Sequence, residues 1–346
     1  MIPWQQFVRL TDAALARADI AAVNWACAFG LPGLEVIDWK HCLWTIDGWA
    51  ESCRRFTDAM MPHFRAGRCD FPESEPKFRI QAMVTHLQRD LGVRYHPDRI
   101  AEGAKFEPAD SFIHGVIQGN GGTCGNLPVV YTAVGRRLGY PLMLATTRNH
   151  LFCRWDALPG GECFNIEASG KGVSFFTDDH YRTGRFQMPA ETIKACGYLE
   201  SLSPREELAG FLCQRGECWM QEKNYGEAVT AFAWAHEMDP RRGQHAFLTQ
   251  QATRVWKETL QPRLPKSRYF PKLDIGRPVQ QFRRMPVEAE RELIGLTVTQ
   301  KLLDDQNLIR RWWHPLQLDP NRRPADLPDV LRIDFSWNGP DRANPS

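Results

Sequence analysis

Apolar residues recur every three or four positions through the first part of the chain, which is the spacing of one helix face. The clearest set contains Ile20, Val23 and Ala26. The same pattern predicts helices over residues 4–66 and 78–91. We therefore predict that residues 1–105 form a helical N-terminal region with a structural role.

The pattern changes in the middle of the chain to short runs of strand-forming residues. Segments 140–147, 150–155 and 162–167 are rich in apolar, aromatic and β-branched residues and are separated by turn-forming residues. A helix over 129–139 precedes them. A helix followed by hairpin-linked strands predicts an α+β core with an antiparallel sheet over residues 106–200.

Helical spacing returns over residues 201–260. One set of small and large residues there matches a single tetratricopeptide unit: Gly216, Trp219, Ala228, Phe232, Ala235 and Pro240. One unit cannot bury its own apolar face, so we expect it to stack on neighbouring helices. Two interpretations stay open, a groove for a protein partner and a packing module.

The last part of the chain, residues 261–346, has a different composition. Residues 261–286 form a proline-rich connector, and a helix is predicted over 288–313 before the tail. The connector contains one acidic residue, Asp274. Its basic residues are Arg263, Lys266, Arg268, Lys272, Arg277, Arg283 and Arg284. Such a run is more often a solvated linker than a nucleic-acid contact, so we do not predict a nucleic-acid partner.

Composition narrows the class of protein. The chain has 346 residues, 43% of them hydrophobic, and a net charge of only +2, so no strong field directs it to nucleic acid or membrane. No apolar run approaches the length of a membrane span, and the N-terminus lacks the pattern of a signal peptide. We expect a cytoplasmic protein with reduced cysteines. No Cys-x-x-Cys or His-Glu-x-x-His pattern occurs, so we expect neither a metal nor a cofactor.

The candidate chemistry lies around Cys124. This cysteine follows a glycine-rich turn and precedes the predicted helix, where the helix dipole favours a thiolate. His150 begins one predicted strand and Glu167 ends the next, so a hairpin would bring them side by side. The order predicts a thiol nucleophile, a base and an orienting acid.

Other residues are candidates for the orienting group and the oxyanion donor. Strand alternation places Asn165 on the same face as Glu167, so Asn165 is the alternative orienting group. Asp156 is a weaker candidate, because a strand of six residues separates it from His150 by roughly 20 Å. Gln118 precedes Cys124 by six residues and is either an oxyanion donor or an ordinary loop glutamine.

These segments resemble the transglutaminase-like cysteine superfamily, and more narrowly its bacterial branch in which the domain is fused to a tetratricopeptide segment. The motifs that carry the resemblance are Gly121-Gly122-Thr123-Cys124-Gly125, Asn149-His150-Leu151-Phe152 and Phe164-Asn165-Ile166-Glu167-Ala168. The resemblance implies a papain-like core with a triad at Cys124, His150 and Glu167. Many members have aspartate at the third position, where this chain has Glu167.

Two classes of function remain. The first is an enzyme in which Cys124 forms a thioester with an amide or peptide carbonyl, and water or an amine resolves it. Its substrate would be a protein or peptide, and the choice between hydrolysis and amine transfer stays open. The second is an inactive scaffold that binds protein partners through the tetratricopeptide-like segment, since a fold alone does not establish chemistry.

Overall fold

The computed structural model describes residues 4–34, 38–96, 107–167, 169–183 and 186–260. The predicted connector over 261–286 and the helix over 288–313 lie outside these residues. Within them, helices and an antiparallel sheet confirm the α+β class.

The N-terminal region is helical, as predicted. Its helices are α1 (Trp4–Phe7), α2 (Asp12–Leu15), α3 (Ile20–Ala28), α4 (Trp39–Arg65) and α5 (Glu75–Arg89). Polar side chains begin several of them: Asp19 accepts a hydrogen bond from the Ala21 amide at α3, and Asp38 accepts one from the Lys40 amide at α4. The buried stripe of α4 repeats every three or four residues, so this long helix turns one face to the core.

Two short helices and one longer helix lead into the sheet. They are α6 (Pro108–Ser111), α7 (Ile113–Ile117) and α8 (Leu127–Arg137). All the residues of α8 from Leu127 to Gly135 are buried. A Cβ at Gly135 would lie 2.3 Å from the Leu142 side chain, so glycine lets the first strand pack directly on the helix.

The sheet has four antiparallel strands in sequence order. They are β1 (Leu142–Thr147), β2 (His150–Asp156), β3 (Cys163–Glu167) and β4 (Ser174–Phe176). Three were predicted, and β4 is an addition. The side chains of Cys153 and Ile166 lie in the main core with α8. Phe152 belongs to a second core with Tyr181, which follows the sheet.

Two small helices and three long ones complete the described chain. They are α9 (Asp178–Arg182), α10 (Ala190–Cys196), α11 (Pro204–Gln221), α12 (Tyr225–Met238) and α13 (Gly243–Leu260). Gly216 of α11 faces the Phe232 ring of α12, and a Cβ there would lie 2.5 Å from that ring. Phe211, Leu212 and Phe232 are buried, so the helices pack on their neighbours.

Helix α11 also joins the regions that precede it. The buried Arg215 guanidinium donates to the carbonyl oxygens of Cys27 and Phe29, at 2.8 and 2.7 Å. Glu207 pairs with Arg136 of α8 at 2.6 Å. These contacts fix α11 against the N-terminal helices and against the last turn of α8, the helix that follows Cys124.

Candidate active site

Cys124 lies in a turn that side chains hold in place. The Thr123 amide donates to Asn126 Oδ1 at 2.8 Å, and the Gly125 amide donates to Thr123 Oγ1 at 2.9 Å. Asn126 Nδ2 donates in turn to the carbonyl oxygen of Ala109 at 2.8 Å. The turn therefore fixes the position of the half-buried Cys124 thiol just before α8 begins.

His150 and Glu167 come from neighbouring strands. Arg154 pairs with Asn165 in the β2 and β3 register, which places Glu167 close to the first residues of β2 on the same face. His150 Nε2 lies 2.6 Å from Glu167 Oε2. Cys124 also interacts with the imidazole, and both side chains line one cavity, so the three residues lie together.

The partners of His150 determine its charge. Burial lowers the pKa of His150, but the hydrogen bonds to Cys124 and Glu167 outweigh it and raise the pKa to about 9. Burial raises the pKa of Glu167, but the hydrogen bond and charge of His150 leave that pKa below its usual range. At neutral pH the pair is therefore an imidazolium held by a carboxylate.

Aromatic rings surround the imidazole. The Phe186 ring stacks on His150 with centroids 5.0 Å apart, and the Tyr181 ring lies 6.4 Å away. The Tyr181 hydroxyl donates to Glu167 Oε2 at 3.4 Å. The Ser169 amide donates to the other carboxylate oxygen at 3.4 Å. These contacts limit rotation of both members of the pair.

Asn165, the alternative orienting group, has other partners. Its Oδ1 accepts from Arg154 Nε at 2.7 Å, and its Nδ2 donates to Asp178 Oδ1 at 2.8 Å. Asp156 accepts from the Ser201 hydroxyl at 2.5 Å. Glu167 is thus the group that contacts the imidazole, while Asn165 and Asp156 form hydrogen bonds elsewhere.

Gln118 lies apart from this group. It is exposed at the C-terminal end of α7, and it is not among the residues that line the cavity at Cys124. The spacing of six residues between Gln118 and Cys124 does not specify the path of the turn that connects them. The backbone amide of Cys124 donates to no group in the described part of the chain, and it adjoins the thiol itself.

A cavity of about 340 Å³ opens at Cys124 and His150. One wall consists of the Cys124 turn and the ends of β1 and β2. A second wall comes from α11 and from the segment at the start of α13: Gly210, Cys213, Gln214, Glu217, Arg242 and His245. Sequence reasoning missed this second wall, although the positions 210, 213, 214 and 217 have the spacing of one helix face.

The other cysteines are in different surroundings. Burial raises the pKa of Cys153 and of Cys218 to about 12. Burial also raises the pKa of Cys213, which lines the cavity, well above its usual range. Cys163 is the exposed thiol among the described residues, and partial desolvation raises its pKa as well.

A metal centre in the described residues would need clustered ligand side chains, and a membrane span there would need a long apolar helix. No group of three or more His, Cys, Asp or Glu side chains there is arranged to hold a metal ion. In the same residues, no helix has the length and apolar character that crossing a membrane requires.

Comparison with known proteins gives one match. Residues 45–209 match the family model described as the transglutaminase-like superfamily. The matched segment includes Cys124, His150 and Glu167, and it ends within α11. Searches of curated proteins and of solved structures gave no match.

Proposed function

We propose that this protein is a cysteine-dependent enzyme that acts on amide or peptide bonds through a thioester at Cys124. The family match to residues 45–209 indicates cysteine-dependent acyl chemistry in general. The observation that carries the specific proposal is the contact of His150 Nε2 with Glu167 Oε2 at 2.6 Å, beside a cavity that the Cys124 thiol also lines. A nucleophile, a base and an orienting group are the parts that acyl transfer requires.

In the first step, the Cys124 sulfur, with its proton held on His150 as the imidazolium, attacks the substrate carbonyl carbon, and a carbon–sulfur bond forms. The His150 imidazolium then protonates the leaving amine as the carbon–nitrogen bond breaks. The Cys124 backbone amide is the candidate donor to the oxyanion, since it has no other acceptor among the described residues. The product of this step is a thioester and a free amine.

In the second step, His150 takes a proton from water or from an amine, and that nucleophile attacks the thioester. The carbon–sulfur bond breaks, and the sulfur returns to its starting state beside the imidazolium. Glu167 holds the imidazole in position through both steps. Water gives hydrolysis, and an amine gives transfer, so the acceptor that enters the cavity determines the reaction.

We also propose that the tetratricopeptide-like helices act mainly as a packing module and cavity wall. Phe211, Leu212 and Phe232 support this role, since they are buried within the described fold. A protein partner on these helices is the alternative role.

The test is a peptide-derived electrophile followed by mass spectrometry of the intact protein and its peptides. We expect one adduct, on Cys124, formed faster than any adduct on the exposed Cys163. Cys124→Ala should abolish that adduct, and His150→Ala should slow it. Equal rates at Cys124 and Cys163 would reject the enzyme and favour the inactive scaffold.

A further inference from the structure

The second wall of the cavity carries a charge that the proposed chemistry does not use. Glu217 lines the cavity from α11, and among the described residues no cation or hydrogen-bond donor contributes to the electrostatics of its carboxyl group. The Glu217 side chain is exposed to solvent on this wall, and desolvation by the surrounding protein raises the pKa of its carboxyl group. An unpaired carboxylate at a cavity attracts a cation that enters with a ligand.

The other charged groups at the cavity are already paired. Glu207 lies 2.6 Å from Arg136, and Arg242 lies 3.2 Å from Asp239. The Arg242 guanidinium also lies over the Tyr198 ring, 5.3 Å from its centroid. The unbalanced charge on the second wall is therefore negative.

Buried hydrogen-bonding atoms on the same wall also lack partners. His245 is only 3% exposed, and within the described residues neither of its ring nitrogens has a hydrogen-bond partner. Burial, with the charge of Arg242, lowers the pKa of His245 to about 3, so its ring is neutral and one nitrogen is an acceptor. Gln214 Oε1 is a second buried acceptor without a partner in this part of the molecule.

The position of these groups relates them to the thiol. Gln214 Nε2 donates to the carbonyl oxygen of Gly125 at 3.1 Å, directly beside Cys124. Glu217 follows Gln214 by three residues on α11, which is about one helical turn, or roughly 4.5 Å along the axis. Gly210 adds no side chain to the same face, and a Cβ there would meet nothing within 4 Å, so this part of the cavity stays open.

We propose that this wall is a subsite for a positively charged primary amine of the substrate, with Glu217 as its counter-ion and Gln214 and His245 as hydrogen-bond acceptors. The inference rests on the proposed function, because the subsite would position a substrate for Cys124. A peptide supplies such a group either as its N-terminal ammonium or as a lysine side chain. Neutral and acidic groups at that position are disfavoured.

The first measurement uses dipeptide chloromethyl ketones, which alkylate Cys124 once bound. One probe has a free N-terminus, a second is acetylated with a lysine side chain, a third is acetylated and neutral, and a fourth carries a succinyl carboxylate. We expect at least one ammonium probe to bind about tenfold more tightly than the neutral one, which is typical of a charge-assisted hydrogen bond. The ammonium probe with the higher affinity identifies the source of the amine.

Variants assign the preference to one residue. Glu217→Gln should remove the preference for ammonium and leave the binding of the neutral probe within twofold. Glu217→Lys should invert it, in favour of the succinyl probe. Glu237→Gln, which removes an exposed carboxylate from α12 outside the cavity, should keep the wild-type preference.

A second measurement separates this subsite from thiol chemistry. The corresponding dipeptide amides, which lack the electrophile, are titrated into Cys124→Ala protein by calorimetry. A tenfold preference for ammonium there supports the subsite even when wild-type Cys124 reacts no faster than Cys163, a result that would reject the proposed function alone. Equal affinity of ammonium and neutral amides, or a preference that persists in Glu217→Gln, would overturn the subsite.

Discussion

Strands β2 and β3 carry two polar clusters on the same face, and the two clusters differ in the groups with which their side chains interact. The first is the pair His150 and Glu167, and the second joins Arg154, Asn165 and Asp178. In the second cluster Arg154 Nη1 also donates to the Leu199 carbonyl oxygen at 2.6 Å, so its members bond to one another and to the backbone. In the first, the imidazole lines a cavity together with the Cys124 thiol, which affects its pKa.

The difference separates a structural network from a reactive one. A buried polar network whose groups are mutually satisfied makes the fold rigid. A network that ends on a nucleophile leaves one bond to exchange with a substrate. Aromatic rings lie beside both clusters, because Phe152 and Tyr181 stack with centroids 4.2 Å apart on this face. We therefore expect changes in the second cluster to affect folding and changes in the first to affect Cys124.

The largest effect should come from Arg154→Ala. The Arg154 side chain is 8% exposed, and its loss would leave Asn165 and Asp178 without their shared donor. We expect the free energy of unfolding to fall by about 3 kcal/mol in urea titrations. Arg182→Ala, which removes an exposed partner of Asp178, should cost less than about 1 kcal/mol. Equal losses in the two variants would place Arg154 outside the structural network.

His150→Gln should have the next largest effect, and on reactivity. The amide can still bond to Glu167 but cannot serve as a base or a cation for the Cys124 thiol. Alkylation of Cys124 by iodoacetamide at neutral pH should slow by about 100-fold. The rate at Cys163 in the same sample is the internal control. An unchanged ratio of the two rates would contradict the comparison between the clusters.

Glu167→Gln should slow the same reaction about tenfold, because the imidazolium loses its carboxylate but keeps a hydrogen-bond partner. Asn165→Ala is the matched change in the second cluster. It should lower the stability of the protein while the Cys124 rate of the folded fraction stays within twofold. A tenfold slowing in Asn165→Ala would mean that the two clusters act as one.

The smallest effect is a pH dependence of stability. The pKa of His150 is raised from 6.5 to about 9 in the folded protein, so its contribution is complete below pH 6.5 and is lost as pH rises through 9. Between pH 8 and 10 the free energy of unfolding should fall by roughly 1 kcal/mol more in the wild type than in His150→Gln. Parallel curves for the two proteins would show that the pair adds no stability.

Local patterns in the sequence were sufficient to predict that His150 and Glu167, the first cluster, lie side by side. The turn before Cys124, the two-residue connection before His150 and strand alternation at Glu167 all depend on neighbours in the chain. The second cluster was missed because Asp178 reaches the sheet only after the short strand β4, which has three residues and a weak pattern. The wall formed by Gln214, Glu217 and His245 depends on how separate helices pack, which spacing along the chain does not specify.

The ion pair between Arg136 and Glu207 has a consequence for how such proteins diversify. It fixes α11 beside α8, so the thiol and the residues that face it are held in register although about ninety positions separate Gly125 and Gln214 in the chain. Substitutions on the cavity face of α11 would therefore change what the cavity prefers without moving the thiol. The reaction chemistry, encoded by a different stretch of the gene, would remain intact.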